Sequence, residues 1–222
     1  MSEILKAINN TLTKHTEEYT LVRAEKATVD IVKSMLELLG KPEPIEVIVK
    51  VLTDYPVELP SSKIFLIHQL QYAWYYMLEH LGELNFYQLM VEFNAISKSI
   101  LKNCHTVHRG DFVKIVDDIT KYDTEAYSSI ATVEYTFNVE IQNPIDRAIA
   151  YLEYIVKNSI FGDNSRVVAL LWANKILIEN KVGMLIVDSC ELFNKFIGTY
   201  ELYEDNSEFA DFIKCKCIQK FN

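Results

Sequence analysis

Asn158-Ser159-Ile160-Phe161-Gly162-Asp163-Asn164-Ser165-Arg166 separates two apolar-periodic segments, Ile145 to Lys157 and Val167 to Ile178, and so predicts a tight helix–loop–helix turn. In the first segment Ile145, Ala148, Ile149, Leu152, Ile155 and Val156 give one broad apolar face, which makes that helix central. Asn143-Pro144 opens it, with proline at the first turn and Asp146 at the positive end of the dipole. The second segment is apolar nearly all round and is therefore expected to be buried. The first backbone N–H groups of that second helix lack carbonyl partners, and Arg166 stands beside them. Together they form a candidate anion site of phosphate size.

Towards the N-terminus the same period continues. Ile4, Ile8 and Leu12 mark one amphipathic helix, and Val22, Val29, Val32, Met35, Leu36 and Leu39 a second. Gly40, Pro42 and Pro44 stop it. Ile45 to Leu52 reads as a short helix, although its valines and isoleucines also suit a strand. Pro56 and Pro60 bracket a connector, which divides the chain into an N-terminal helical region, 1–60, and a second domain, 61–222. There, Ile67, Leu70, Trp74, Met77, Leu78 and Leu81 share a stripe, and Phe86 to Ile100 supply another. Helices joined that closely pack antiparallel.

Phe112 to Val116 is a short extended candidate. Val133, Tyr135, Phe137, Val139 and Ile141 alternate with polar residues as a strand would, while Ile130, Val133 and Phe137 also fit a helix face. Gly183 to Val187 reads as an extended link. Phe193 to Tyr203 and then Phe209 to Ile213 read as closing helices. The fold class expected is all-α.

Composition narrows the function. Half of the 222 residues are hydrophobic, and six Gly and five Pro leave little room for long linkers. A net charge of −9 argues against a general nucleic-acid binder, which needs a basic face. No apolar run approaches the roughly 18 residues of a membrane span, and Met1 to Lys6 shows no secretory pattern. Cys104, Cys190, Cys215 and Cys217 are too scattered for a disulfide framework, and no Cys/His pair stands ready to complete a metal site with Cys215 and Cys217. A cytoplasmic protein without nucleic-acid or membrane partners is expected.

From about Ile67 to Tyr203 the chain resembles, in divergent form, the Fic/Doc (Fido) family. That family's signature is His-x-Phe-x-Asp/Glu-Gly-Asn-Gly/Lys-Arg, in a loop between two central helices. Laid on Asn158 to Arg166 without gaps, Asn164 and Arg166 match, and Ile160 stands for the Phe. Asn158 takes the His position, Gly162 the acidic position and Asp163 that of the Gly before the Asn. The flanks are also similar: Ala169 to Asn180 after the motif, Asn143 to Ile155 before it, and Ile67 to Trp74 as a first core helix. Arg109, Val113 and Ile115 resemble the arginine-led β-hairpin flap that aligns a target chain. The resemblance implies a Fic-like helical bundle with a short β-hairpin flap, preceded by an N-terminal helical layer. It further implies transfer of AMP from ATP, with Mg²⁺, to a hydroxyl of a protein target. Asn164, Ser165 and Arg166 are the implied nucleotide- and phosphate-binding residues.

The departures weigh against catalysis. Asn158 has no proton affinity near neutral pH, whereas imidazole titrates there, and losing a general base costs on the order of 10²–10⁴ in rate. Gly162 has no carboxylate for Mg²⁺, and Asp163 would replace it only through a re-bent loop. Each residue also has a plainer reading: Asn158 as a helix cap, Arg166 as a surface arginine, the histidines as ordinary ones, with His108 beside Arg109 the single candidate for a displaced base. Three functions follow. The first is a degenerate Fic-domain protein acting as a nucleotide-sensing or protein-binding module with a regulatory partner. The second is an active transferase with altered catalytic residues, and the third an unrelated all-helical interaction protein.

Overall fold

A computed structural model describes residues 21–82, 133–159, 161–200 and 207–220, and these are mostly helical. Arg109, Val113, Ile115, His108 and the expected flap lie outside the described residues, as do the helices expected over Ile4 to Leu12 and Phe86 to Ile100.

Helix α1, Leu21–Leu38, buries Ile31, Val32, Met35, Leu36 and Leu38. Its end follows from Gly40, whose φ of 66° is readily adopted only without a side chain. Gly40 N–H donates to Glu37 O and Lys41 N–H to Leu36 O, both at 3.0 Å, which satisfies two of the helix's last carbonyls. Helix α2, Ile45–Leu52, settles the ambiguity of its β-branched residues as helix, because Ile48 and Val51, three apart, share one buried face. Helix α3, Ser61–Glu79, buries Leu66, Ile67, Leu70, Ala73, Trp74, Met77 and Leu78.

Residues 133–140 form helix α4, which removes the strand alternative. The helical period explains the choice: it puts Val133 and Phe137 on one side and Tyr135 and Val139 on the other, and the last two are exposed. Phe137 meets Tyr151 and Tyr154 edge-on at 5.0 and 6.0 Å between ring centres.

Helix α5, Pro144–Lys157, starts as its sequence predicts: Asn143 Oδ1 accepts from Ile145 N–H at 2.9 Å. After a 3₁₀ turn at Gly162–Asn164 comes helix α6, Ser165–Glu179. Every residue of α6 from Val167 to Ile178 is buried, so it is the axis of the molecule. It packs most extensively on α5 and also meets α1 and α3. Ile31, Ile67, Leu152 and Leu170 belong to one continuous core. Even Lys175 is only 3 % exposed; it pairs with Glu179 and lies over the Trp172 ring at 5.4 Å.

Beyond α6, strand β1 (Gly183–Leu185) leads to α7 (Cys190–Tyr200) and α8 (Ser207–Phe212). A π-helical turn at Ile213–Cys217 then delivers strand β2 (Ile218–Lys220), antiparallel to β1 with Met184 opposite Gln219. The extended link expected at Gly183 to Val187 is thus half of a two-stranded sheet. Ile186 N–H donates to Cys217 O at 2.8 Å, and antiparallel pairing turns alternate residues the other way. Leu185 therefore faces α6, where side chains stand in for a third strand. Its N–H donates to Asn174 Oδ1 at 2.8 Å and its carbonyl accepts from Asn174 Nδ2 at 3.0 Å. Val187 N–H donates to Ser34 Oγ of α1 at 3.0 Å. No helix among the described residues is long and apolar enough to cross a membrane.

Candidate cavity at the head of the central helix

The turn between α5 and α6 is built by local hydrogen bonds. Asn158 is the C-cap of α5: its backbone N–H donates to Tyr154 O, and its side-chain Nδ2 donates to the same carbonyl at 2.8 Å. Ser159 adopts a left-handed φ of 47°, which reverses the chain. Phe161 is buried and its N–H donates to Ser165 Oγ at 2.9 Å, tying the loop to the first residue of α6. The 3₁₀ turn runs straight into α6, and Asn164 N–H donates to Phe161 O.

This turn forms one wall of a cavity of about 640 Å³, within the size range typical of small-molecule sites. Ser159, Asp163, Ser165 and Arg166 come from the turn and α6, with Val156 from α5. Leu38, Leu39, Gly40 and Lys41 line it from the end of α1, and Cys190 and Asn194 from α7. Asp163 and Lys41 are exposed and Arg166 is half-buried. Among the described residues neither Lys41 nor Arg166 takes part in an ion pair. Two cationic side chains and one carboxylate thus face a common space in a chain of net charge −9.

The residues singled out from sequence divide. Asp163, Ser165 and Arg166 come together in the cavity. Asn164 is only 1 % exposed and is not among its lining residues. Asn158 serves α5 as a cap, the plainer of its two readings, and it too is not among the lining residues. Lys41, Asn194 and Cys190 were missed. Nothing local marks them, since they arrive from α1 and α7 only once the core has assembled. The one carboxylate, Asp163, suits Mg²⁺ only as a partial ligand set, because that ion is commonly held by one or two carboxylates together with phosphate oxygens. Among the described residues no group of three or more His, Cys, Asp or Glu is placed to hold a metal by itself.

A second cavity, of about 670 Å³, lies between α7, α8 and the π-turn. Leu192, Phe212 and Cys217 line it beside Asp188, Glu208 and Asp211 and one cation, Lys216, so its net charge disfavours an anion. Burial and the neighbouring Asp188 push the Cys217 thiol up to about 12, so it is no nucleophile at neutral pH.

Away from either cavity, Glu153 of α5 is 5 % exposed and its Oε1 has no hydrogen-bond partner among the described residues. Burial raises its carboxyl to about 7, against a smaller opposing pull from Lys157.

No family model, curated protein or solved structure matches the chain.

Proposed function

We propose that the protein is a degenerate Fic-domain protein that binds a phosphate-bearing nucleotide at the head of α6 and acts as a sensing or protein-binding module. In this reading it does not transfer AMP. One observation carries it: Arg166 faces a cavity of nucleotide size, while Asn158, at the family's histidine position, has its side-chain amide bonded to Tyr154 O of its own helix. An arginine beside a helix start suits a phosphate by charge and by geometry. The proton-accepting group that AMP transfer requires is missing at the position where the family keeps it. When a nucleotide carries Mg²⁺ into the cavity, Asp163 is the carboxylate available to it, and the ion would neutralise charge on the phosphates.

Thermal-shift titration with ATP, ADP and AMP, with and without Mg²⁺, tests binding. A ligand at a hundred times its Kd adds about 2.7 kcal/mol, roughly 5–10 °C for a chain of this size. Stabilisation that disappears in Arg166→Ala supports the site, and no stabilisation by any of the three nucleotides overturns it. Incubation with labelled ATP, Mg²⁺ or Mn²⁺ and lysate tests the chemistry. Label transfer lost in Arg166→Ala would show an active transferase instead.

A further inference from the structure

The cavity of about 670 Å³ between α7, α8 and the π-turn is a separate place from the one at the head of α6, although both use α7. Cys190 and Asn194, four residues apart, line the first, and Leu192, midway between them, lines the second. Two steps along an α-helix turn a side chain to the opposite side, so α7 divides the two spaces. The second space has an apolar lining that the fold leaves uncovered. Leu192 is 46 % exposed, Phe212 is half-buried, and the Cys217 thiol, only 3 % exposed, makes no hydrogen bond among the described residues. A thiol of that kind is a soft apolar surface that suits an aromatic ring. It reaches the cavity from a π-turn, a form of helix rare in proteins and frequent at functional sites.

Around that surface the charge is negative, because Asp188, Glu208 and Asp211 outnumber Lys216. Asp188 is engaged by Lys33 Nζ at 3.4 Å, but Glu208 and Asp211 take part in no ion pair among the described residues. They stand three apart on α8 and are therefore neighbours on one face. An anion would meet repulsion here, and a neutral apolar molecule would leave both carboxylates without a counter-charge. A molecule with a positive group and an apolar body answers both parts of the lining, as ligand sites commonly join an apolar surface to a few polar groups.

We propose that this cavity binds a small organic ammonium ion, its charge beside Glu208 and Asp211 and its aryl or alkyl body against Leu192, Phe212 and Cys217. Nothing in this site depends on a nucleotide at Arg166.

The test is a ligand-observed NMR titration, at physiological ionic strength, with phenethylamine, phenethyl alcohol and phenylpropionate, which carry one ring and differ in charge. Ethylamine and trilysine serve as controls for charge alone. The amine should bind about three- to tenfold more tightly than the alcohol, the worth of two partly exposed charge pairs, and the carboxylate more weakly than either. Ethylamine, without the ring, should bind at least about tenfold more weakly than phenethylamine. Glu208→Gln combined with Asp211→Asn should bring the amine to within about twofold of an unchanged alcohol, and Leu192→Ser should weaken both alike. All three positions are exposed, so circular dichroism and melting should match wild type; if the double variant does not fold, Leu192→Ser decides alone. The proposal is overturned if wild type does not bind phenethylamine, if the carboxylate binds as tightly, if the amine preference survives the double variant, or if Leu192→Ser changes nothing. Ethylamine or trilysine binding as tightly as phenethylamine also overturns it, as that is attraction of cations, or of a basic peptide, to a chain of net charge −9. Arg166→Ala should leave every one of these affinities unchanged; a loss there puts the probe in the other cavity and overturns this site.

Discussion

Replacing Asn174 by leucine isolates the contribution of one buried amide to the fold. Asn174 is fully buried, and its side chain makes three hydrogen bonds: to Leu170 O and Leu185 O at 3.0 Å, and from Leu185 N–H at 2.8 Å. Leucine has the same branching and heavy-atom count with bulkier methyl ends, so no cavity is left as with alanine, and any overpacking only adds to the loss. What remains is the orphaning of Leu185's N–H and carbonyl, on a residue 1 % exposed. Each buried backbone group left without a partner costs about 1–3 kcal/mol, which predicts a loss of about 4 kcal/mol for the pair. In a chain of this size that is a fall in Tm of roughly 8–16 °C. Urea and thermal unfolding followed by far-UV circular dichroism would measure it. Asn174→Asp should be worse than leucine, since it keeps an acceptor for Leu185 N–H but buries a charge and gives up both donated bonds. If Asn174→Leu unfolds within about 1 kcal/mol of wild type, the edge of β1 is not held by this amide and the account of the sheet is wrong.

Three further outcomes are expected. Glu153 has its carboxyl raised to about 7 by burial, so it is neutral in the fold over a range where the unfolded chain has ionised it. Its contribution is therefore fully favourable below the ordinary carboxylate range and is lost as pH rises towards 7, costing on the order of 3 kcal/mol above that point. Glu153→Gln should abolish this dependence and unfold at higher urea than wild type at pH 8; equal slopes of stability against pH in the two proteins would refute it. Gly183→Ala sets a Cβ against Gln219 O and, at 3.0 Å, Lys220 Cα, both backbone, so β2 must move. A loss of about 1–3 kcal/mol is expected by equilibrium unfolding, and wild-type stability would show that the β1–β2 pairing is dispensable. Finally, iodoacetamide at neutral pH followed by peptide mapping should label exposed Cys215 and spare Cys217, whose thiol is buried and pushed up to about 12. Equal labelling would contradict that burial.

Much of the helical frame was legible because its signals are local. Gly40 with its trailing prolines ends α1, Asn143-Pro144 starts α5, and an all-apolar stretch becomes the buried α6. At 133–140 the alternation of Val133, Tyr135, Phe137 and Val139 left two periods open, because Val133 and Phe137 also fit a helical face; the packing of Phe137 on Tyr151 and Tyr154 and the exposure of Tyr135 and Val139 decide. The pairing of β1 with β2 carried no sequence signal. The strands are three residues each, Met184 and Gln219 are far apart in the chain, and the edge of β1 is completed by Asn174 and Ser34 from two different helices. Within the candidate site, Arg166, Ser165 and Asp163 could be named because they neighbour one another in the loop. Lys41 could not, since its nearness to Arg166 comes from the packing of α1 against α6. Asn158 could be read either as a cap or as a substituted catalytic residue, and the hydrogen bond to Tyr154 O shows the cap.

The far end of α6 is moored as firmly as its middle. Glu179, in the last turn, is held by Lys175 and also accepts from Gly82 N–H just past α3, at 2.5 Å. A rod gripped along its length and pinned at its tail cannot slide when something docks against its head. On the proposed phosphate role, Arg166 would be a fixed abutment for whatever occupies the cavity.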